Sequence, residues 1–540
     1  MKRFIQQQRS KKQLEGPLVK KGQAHAPAPA SVVAYTSILF LLILLTTATI
    51  SSLWSTLSST NNKTTSIANQ TIVAADALAK HSNNETNNTT SREKPKKRPF
   101  QFQATLNCRS IENKTCSTLY PKTTTTTFEV NEDVCPKYFR WIHEDLRPWK
   151  GSGVSRDIVE RAKKTAHFRL VVKKGRVYVE KYRKSIQTRD VFTIWGIMQL
   201  VRRYPGMVPD LELMFDCDDQ PVILARHYSS NLMAPPPLFR YCGDRWSHDI
   251  VFPDWSFWGW AEINIRPWEH VLKDIKEGNK RIKWNDREPF AYWKGNPFVA
   301  DTRQDLLKCN ASNELDWNAR LFAQDWIQES QQGFKQSNVA NQCTYRYKIY
   351  IEGFGWSVSE KYILACDSVT LLVKPRFHDF FIRSLQPLQH YWPIRDNDKC
   401  HSIKHAVDWG NIHMQQAQEI GRAGSNFIQE ELKMDYVYDY MFHLLNEYAK
   451  LLKFEPMVPE GAVELCPEAM ACTGSGLEKE FMTESMVKEP STKVPCTLPP
   501  PFEPNSLRIF YGKKLNIIRR IEKWEDNYWK NRNQHLHTHR

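Results

Sequence analysis

Residues 347–374 read YKIYIEGFGWSVSEKYILACDSVTLLVK, and they decide the fold. Tyr347 to Glu352 has the pattern of a short, half-buried strand, and Ser368 to Lys374 that of a second, more apolar one. Between them Ser357 to Cys366 reads as one helix, with Ser357 at its cap and Glu360 three residues on, the spacing of a capping box. A strand, a helix and a strand in so short a stretch make a βαβ unit, which implies a parallel sheet. Gly353 and Gly355 stand at the strand-to-helix turn, where they let backbone approach a ligand closely. The free amides of the next helical turn favour an anion, and the diphosphate of a sugar nucleotide fits there. A simple tight turn fits the two glycines equally well, since no GxGxxG is present.

Working outward, 540 residues give room for more than one core, so two similar lobes plus tails are expected. The 41% hydrophobic content and 18 Trp argue for a globular body. A net charge of +16 points to an anionic partner: nucleic acid, membrane surface, nucleotide or acidic glycan. The N-terminus argues against nucleic acid. Val32 to Ile50 is uncharged and long enough to cross a hydrocarbon core of roughly 30 Å. The preceding arm carries Lys2, Arg3, Arg9, Lys11, Lys12, Lys20 and Lys21 against Glu15, and no Lys or Arg follows the span until Lys63. The positive-inside tendency then puts residues 1–31 in the cytosol, makes 32–50 an uncleaved signal-anchor, and leaves the remainder lumenal.

Asn62, Asn69, Asn84, Asn87, Asn88, Asn113 and Asn310 head N-x-[ST] sequons, and the 12 Cys suit an oxidising compartment. No Cys or His spacing resembles a zinc site. Residues 51–130, rich in Ser, Thr and Asn, read as a disordered glycosylated stem, with Cys108 and Cys116 close enough to close a small loop. The body begins near Cys135. His167 to Tyr182 alternates around Lys174-Gly175 as a hairpin should. Trp255, Phe257, Trp258, Trp260 and Trp268 crowd together, as core or as a platform for an acceptor. Residues 455–540 form an appendage with Cys466, Cys472, Cys496 and a basic amphipathic segment from Leu507 to Trp529.

Asp216-Cys217-Asp218-Asp219 directly follows the apolar strand Leu211 to Phe215, and carboxylates at the carboxyl end of an α/β strand lie where ligands bind. Three readings stand side by side: a general base made more basic by its neighbours, an Asp216-x-Asp218 pair holding a divalent cation, and a solvated acidic turn. Arg189, Lys294, Arg303 and Lys361 each fall at a strand end or helix start, where a cation stabilises a leaving diphosphate.

The ordered blocks EDLRPWKGSGVSR, MFDCDDQP, HDIVFPDWSFWGW, AYWKGN with Arg303, CTYRYKIYIEGFGWSVSEKYILAC and AQEIGRAGSNFIQEELKMD resemble the Rumi-like protein O-glucosyltransferase family, also called the CAP10 or lipopolysaccharide-modifying family. The likeness runs from about Cys135 to Phe454, and the anchor, stem and appendage look like those of plant members. It implies a GT-B architecture with two Rossmann-like lobes, here 131–285 for acceptor and base and 286–454 for the UDP-sugar, followed by the appendage 455–540. It implies inverting transfer of glucose or xylose from UDP-glucose or UDP-xylose without a required metal or other cofactor. The acceptor is a glycoprotein or polysaccharide, and the setting a Golgi membrane, with the endoplasmic reticulum as alternative.

The family's base is the aspartate of an Asp-x-Pro turn, which is Asp219 here. Donor contacts carry over to Asn296, Arg303 and the turn Phe354, Gly355, Trp356, Ser357, Val358 and Ser359, with Arg189 matching a family arginine. Cys343 and Cys366 match a family disulfide. Ser359 stands where animal members carry an arginine, which leaves Lys361 to supply the cation. A metal-dependent transferase using Asp216 and Asp218, and a non-catalytic glycan-binding protein of the same fold, are the alternatives.

Overall fold

The computed structural model describes Leu106, Cys108, Cys116, residues 129–229 and residues 233–538. The chain divides into two units between Arg98 and Pro99, and every described residue belongs to the second. The basic arm, the apolar span and most of the stem lie outside the described residues. Among those described, no helix is long and apolar enough to cross a membrane.

The first lobe is built on a hairpin, β1 (Phe168–Lys173) and β2 (Arg176–Lys181), paired in the register Lys173↔Arg176. Lys174 (φ 50°) and Gly175 (φ 71°) make the left-handed two-residue turn whose twist suits a hairpin. β1 also pairs antiparallel with β3 (Leu211–Phe215), beyond which β4 (Leu238–Arg240), then β6 (Ile250–Val251) after the short β5 (Gly243–Asp244), continue in parallel. The expected Rossmann-like lobe is therefore realised only on its β3–β4–β6 side. A two-residue link joins antiparallel neighbours alone, so the hairpin makes the sheet mixed. Helix α1 (Arg189–Arg203) is buried along most of its length, and α2 (Trp268–Arg281) closes the lobe. Trp255, Phe257, Trp258 and Trp268 are all core, and Trp260 alone of the aromatic cluster is half-buried.

The second lobe matches the βαβ expectation. β7 (Glu288–Gly295), β8 (Ala319–Ala323), β9 (Tyr345–Tyr350), β10 (Val369–Val373) and β12 (Trp392–Ile394) form an all-parallel sheet in the order β12-β10-β9-β7-β8. Apolar strands such as VTLLV, buried along their whole length, are what a sheet covered on both faces requires. Helix α3 (Asp301–Leu306) lies between β7 and β8 and α4 (Glu360–Leu364) between β9 and β10, while α5 (Lys399–Ile412) follows β12. β11 (Phe377–His378) leaves this lobe to pair antiparallel with β5, joining the two sheets' loops.

The carboxyl-terminal segments fasten the halves together. α6 (Met434–Ala449) returns to the first lobe, where the Tyr448 hydroxyl donates to the Glu212 carbonyl and Trp258 Nε1 to the Tyr438 hydroxyl. Residues 455–538 are woven into the body rather than hung from it. β13 (Val463–Leu465) extends the first sheet beside β2. α7 (Gly476–Glu484) packs Phe481 against Gly259, and α8 (Pro504–Thr538) reaches from Trp141 to the second-lobe core through Ile521. Disulfides Cys108–Cys472, Cys116–Cys466 and Cys135–Cys496 staple the region before the body to this segment. The small loop expected between Cys108 and Cys116 is thus not formed; each half-cystine finds a partner more than 340 residues away. Cys343–Cys366 is present as the resemblance implied, and Cys309–Cys400 is a fifth bridge.

Candidate active site

β3 ends at Phe215, and the acidic run follows it at once. Its carboxylates do not share one environment. Asp216 is buried, where desolvation works to raise it, but the His167 ring 3.0 Å away and the Arg240 guanidinium outweigh that effect and hold its carboxyl down at about 2. Arg183 lies 3.1 Å from Asp216 and 3.4 Å from Asp218. Asp219 faces the other way. Arg189 Nη1, at the start of α1, donates to its Oδ1 at 2.8 Å and to the Cys217 carbonyl at 3.1 Å. Burial disfavours a charged Arg189, but Asp219 raises its pKa, and the guanidinium also lies over the Trp255 ring at 4.4 Å. Only one carboxylate oxygen of Asp219 is engaged by this contact, and the side chain keeps 22% of its exposure.

The turn after β9 meets Asp219 directly. Gln220 Nε2 donates to the Phe354 carbonyl, and a Cβ on Gly355 would stand 2.2 Å from the Asp219 carbonyl oxygen. Only glycine permits that approach. The Cys242 thiol donates to the same carbonyl at 3.0 Å, and Trp356 packs on Tyr241 and Trp255 behind it. The carboxyl ends of β3 and β9, one from each lobe, are thereby brought to a single place.

The capping box at 357 is not made. Helix α4 starts at Glu360, and Ser357 instead turns its hydroxyl to Arg303 Nη2 (3.0 Å) and to the Ser359 hydroxyl (2.8 Å). Arg303, from α3, is 8% exposed and donates to the carbonyls of Glu352, Ile351 and Asn296 at 2.8–3.2 Å. Among the described residues it forms no ion pair. Burial pulls its guanidinium down to about 10, which still leaves it cationic at neutral pH. A buried cation with neutral partners beside glycine backbone is a place prepared for an anion. Asn296 caps the next turn through Oδ1, accepting from Phe298 N at 2.9 Å. Phe354 is exposed, and Val358 packs partly buried at the rim of the first core.

Lys361 is placed otherwise than expected. It is 2% exposed, and its Nζ bonds Ser256 Oγ at 2.7 Å and Asp254 Oδ2 at 3.1 Å, a buried ion pair between the lobes. Arg303, through Ser357, is the cation in contact with the 357–359 turn, while Lys361 pairs across the lobes with Asp254. Lys294 pairs with Glu329 and donates to the Gln336 carbonyl. Trp255, Cys242 and Asp254 were not singled out individually from the sequence as site residues. Their parts depend on contacts across 23 to 107 positions, which no local pattern reports.

The sequence profile described as Glycosyl transferase family 90 matches residues 130–525. The chain belongs to glycosyl transferase family 90. The match extends past the expected limit near Phe454 and takes in most of the woven carboxyl-terminal segment. Among curated relatives, Protein O-glucosyltransferase 1 of Bos taurus and of Homo sapiens are each 26% identical over 352 residues, 62% of this chain and 86% of the relative. O-glucosyltransferase rumi of Drosophila melanogaster is 23% identical over 345 residues, 62% of this chain and 82% of the relative. The family 90 match and the paired lobes describe the same stretch of chain.

Proposed function

We propose that this family 90 chain is an inverting transferase that moves glucose or xylose from a UDP-sugar to a hydroxyl of a protein or glycan acceptor. The observation that carries this reading is the contact between Asp219 and Gly355, which sets a half-open carboxylate beside a turn backed by the unpaired cation of Arg303. Arg189 holds one oxygen of Asp219, so the other receives the acceptor proton. The acceptor oxygen forms its bond to C1 of the sugar as the bond from C1 to the phosphate oxygen breaks on the opposite face. The charge released on UDP falls to Arg303, the hydroxyls of Ser357 and Ser359 and the backbone of 353–359. The acceptor class rests on relatives named O-glucosyltransferases. The anchor at 32–50, a lumenal body and a Golgi setting belong to the same proposal.

A second reading places a divalent cation on the acidic turn, where ligand atoms of His167, Asp216 and Asp218 lie within 4.8 Å of one another. Arg240 and Arg183 already neutralise these carboxylates, so a cation there meets two guanidinium groups. Release of UDP from UDP-glucose, UDP-xylose and UDP-galactose, with and without EDTA, tests both. Turnover that survives the chelator supports the first reading, and a loss restored by Mn²⁺ overturns it in favour of the second. No UDP release with any acceptor, together with no protection of the fold by UDP, leaves a glycan-binding protein.

A further inference from the structure

A cavity of about 740 Å³ lies beside β5 and β11. Loops of the first lobe, the 375–383 loop and the early turns of α8 wall it, and neither Asp219, Arg189, Asn296 nor Arg303 lines it. Its volume falls in the range of roughly 300–1,000 Å³ typical of ligand sites.

Its charges sort into two kinds. Arg383 holds Asp145 in a two-pronged pair at 2.6 and 2.7 Å, Arg147 lies 3.3 Å from Glu144, and Arg376 lies 3.4 Å from Asp244. The fourth acid, Asp249, accepts from the backbone of Val222 and Ile223 and lies 3.5 Å from Arg240. Every carboxylate of the lining thus has a partner. Two cations have none among the described residues: Arg245, which lies over the exposed Trp246 ring at 4.3 Å, and Lys514 of α8. Burial pulls the Lys514 amine down to about 8, and the attraction of Glu360 offsets this only in part. Tyr511 and Tyr228 add partly open aromatic faces.

A compact polyanion would find most of the guanidinium groups already taken up by the acids. A sugar chain suits the mixed lining better: its hydroxyls donate to carboxylates and accept from guanidinium groups, and its ring faces lie on aromatic ones. The two unpaired cations then call for a carboxylate on that chain. We propose that this cavity is a second saccharide site, separate from the Asp219 cleft, that takes an acidic oligosaccharide with its carboxylates met by Lys514 and Arg245. This goes beyond the transferase reading and does not depend on it.

Titration calorimetry of the full chain with trigalacturonic acid tests the assignment, with maltotriose and pyrophosphate as the neutral and the compact anionic probe. Saturable binding of the trigalacturonate is expected, weakened about tenfold by Lys514→Gln and by Arg245→Gln, with UDP failing to displace it. Maltotriose is expected to bind more weakly and pyrophosphate not to compete. Arg245 is exposed, so its variant keeps the test open if Lys514→Gln loosens α8. The proposal is overturned by no saturable binding, by unchanged affinity in both variants, by displacement with UDP or pyrophosphate, or by equal affinity for maltotriose.

Discussion

Arg189 reaches across from the first turn of α1 to hold Asp219 by one oxygen at 2.8 Å, with its own guanidinium lying on Trp255. A carboxylate held this way keeps its direction. Asp219→Asn preserves the shape and removes the base, so kcat is expected to fall by about 10²–10⁴ while UDP affinity stays level. Single-turnover rates and UDP titration on one preparation separate the two. Full activity in that variant removes Asp219 as the base.

Arg303 forms no ion pair among the described residues. Arg303→Met is expected to weaken UDP binding by roughly 10- to 100-fold, the worth of one or two hydrogen bonds to a charged group. Arg303→Lys, which keeps the charge and loses the fork, should recover only part of that. Calorimetry with UDP gives the numbers, and an unchanged affinity in the Met variant would detach this residue from the donor.

Gly355→Ala puts a methyl group 2.2 Å from the Asp219 carbonyl, so one strand end must move. A displacement of about 1 Å at reacting groups costs on the order of 10² in rate. The variant should therefore fold, melt earlier and turn over about a hundredfold more slowly. Wild-type kinetics would show that the two turns do not work together.

Lys361 distinguishes a donor ligand from a lobe fastener. Breaking its buried pair with Asp254 by Lys361→Met should cost about 3–5 kcal/mol of stability, and the double variant with Asp254→Leu should regain most of it. Denaturant titration reads this directly. A loss of UDP affinity without a loss of stability would return Lys361 to the donor site.

Glu352, just before the 353–359 turn, accepts from Phe377 N; burial lifts its carboxyl from 4.5 to about 7, against the lowering of those backbone contacts. Asp379 is lifted the same way, from 3.8 to about 7. A carboxyl whose folded value is raised gives stability that is complete below its unfolded value and is lost as pH rises through the folded one. Asp216 has the opposite sign, and its contribution drains away only as pH falls toward 2. Between about pH 4.5 and 7 Glu352 and Asp379 make stability fall, while His378, His390 and His405, whose pKa values burial lowers, make it rise. The share due to Glu352 is therefore a downward slope, read by comparing the melting of variants. Glu352→Gln should flatten that slope, and a slope unchanged in the variant would show that Glu352 does not cause it.

The parts of the fold written locally were readable. Alternation and chain spacing located β9, β10 and the hairpin turn at Lys174-Gly175, and the position of the acidic run after β3 put it at the strand end. The likeness to a known family then chose Asp219 among three carboxylates and paired Cys343 with Cys366. What composition hid was long in range. The partners of Cys108 and Cys116 lie hundreds of residues on, and three residues of β13 are too few for a periodic signal. Ser357 has the spacing of a cap, but a hydrogen bond from Arg303, more than fifty positions earlier, claims its hydroxyl. Lys361 likewise follows Asp254, a residue from the other sheet.

Helix α8, with 35 residues, is about 52 Å long. Near its start Phe510 and Tyr511 grip Trp141, and further along Glu525 and Tyr528 bind Ser402 and Asp408. A rod gripped at both ends resists any scissoring of the two sheets. A cut in the middle of that rod would remove this brace and leave the β5–β11 pairing and the Lys361–Asp254 contact among the ties that remain between the lobes.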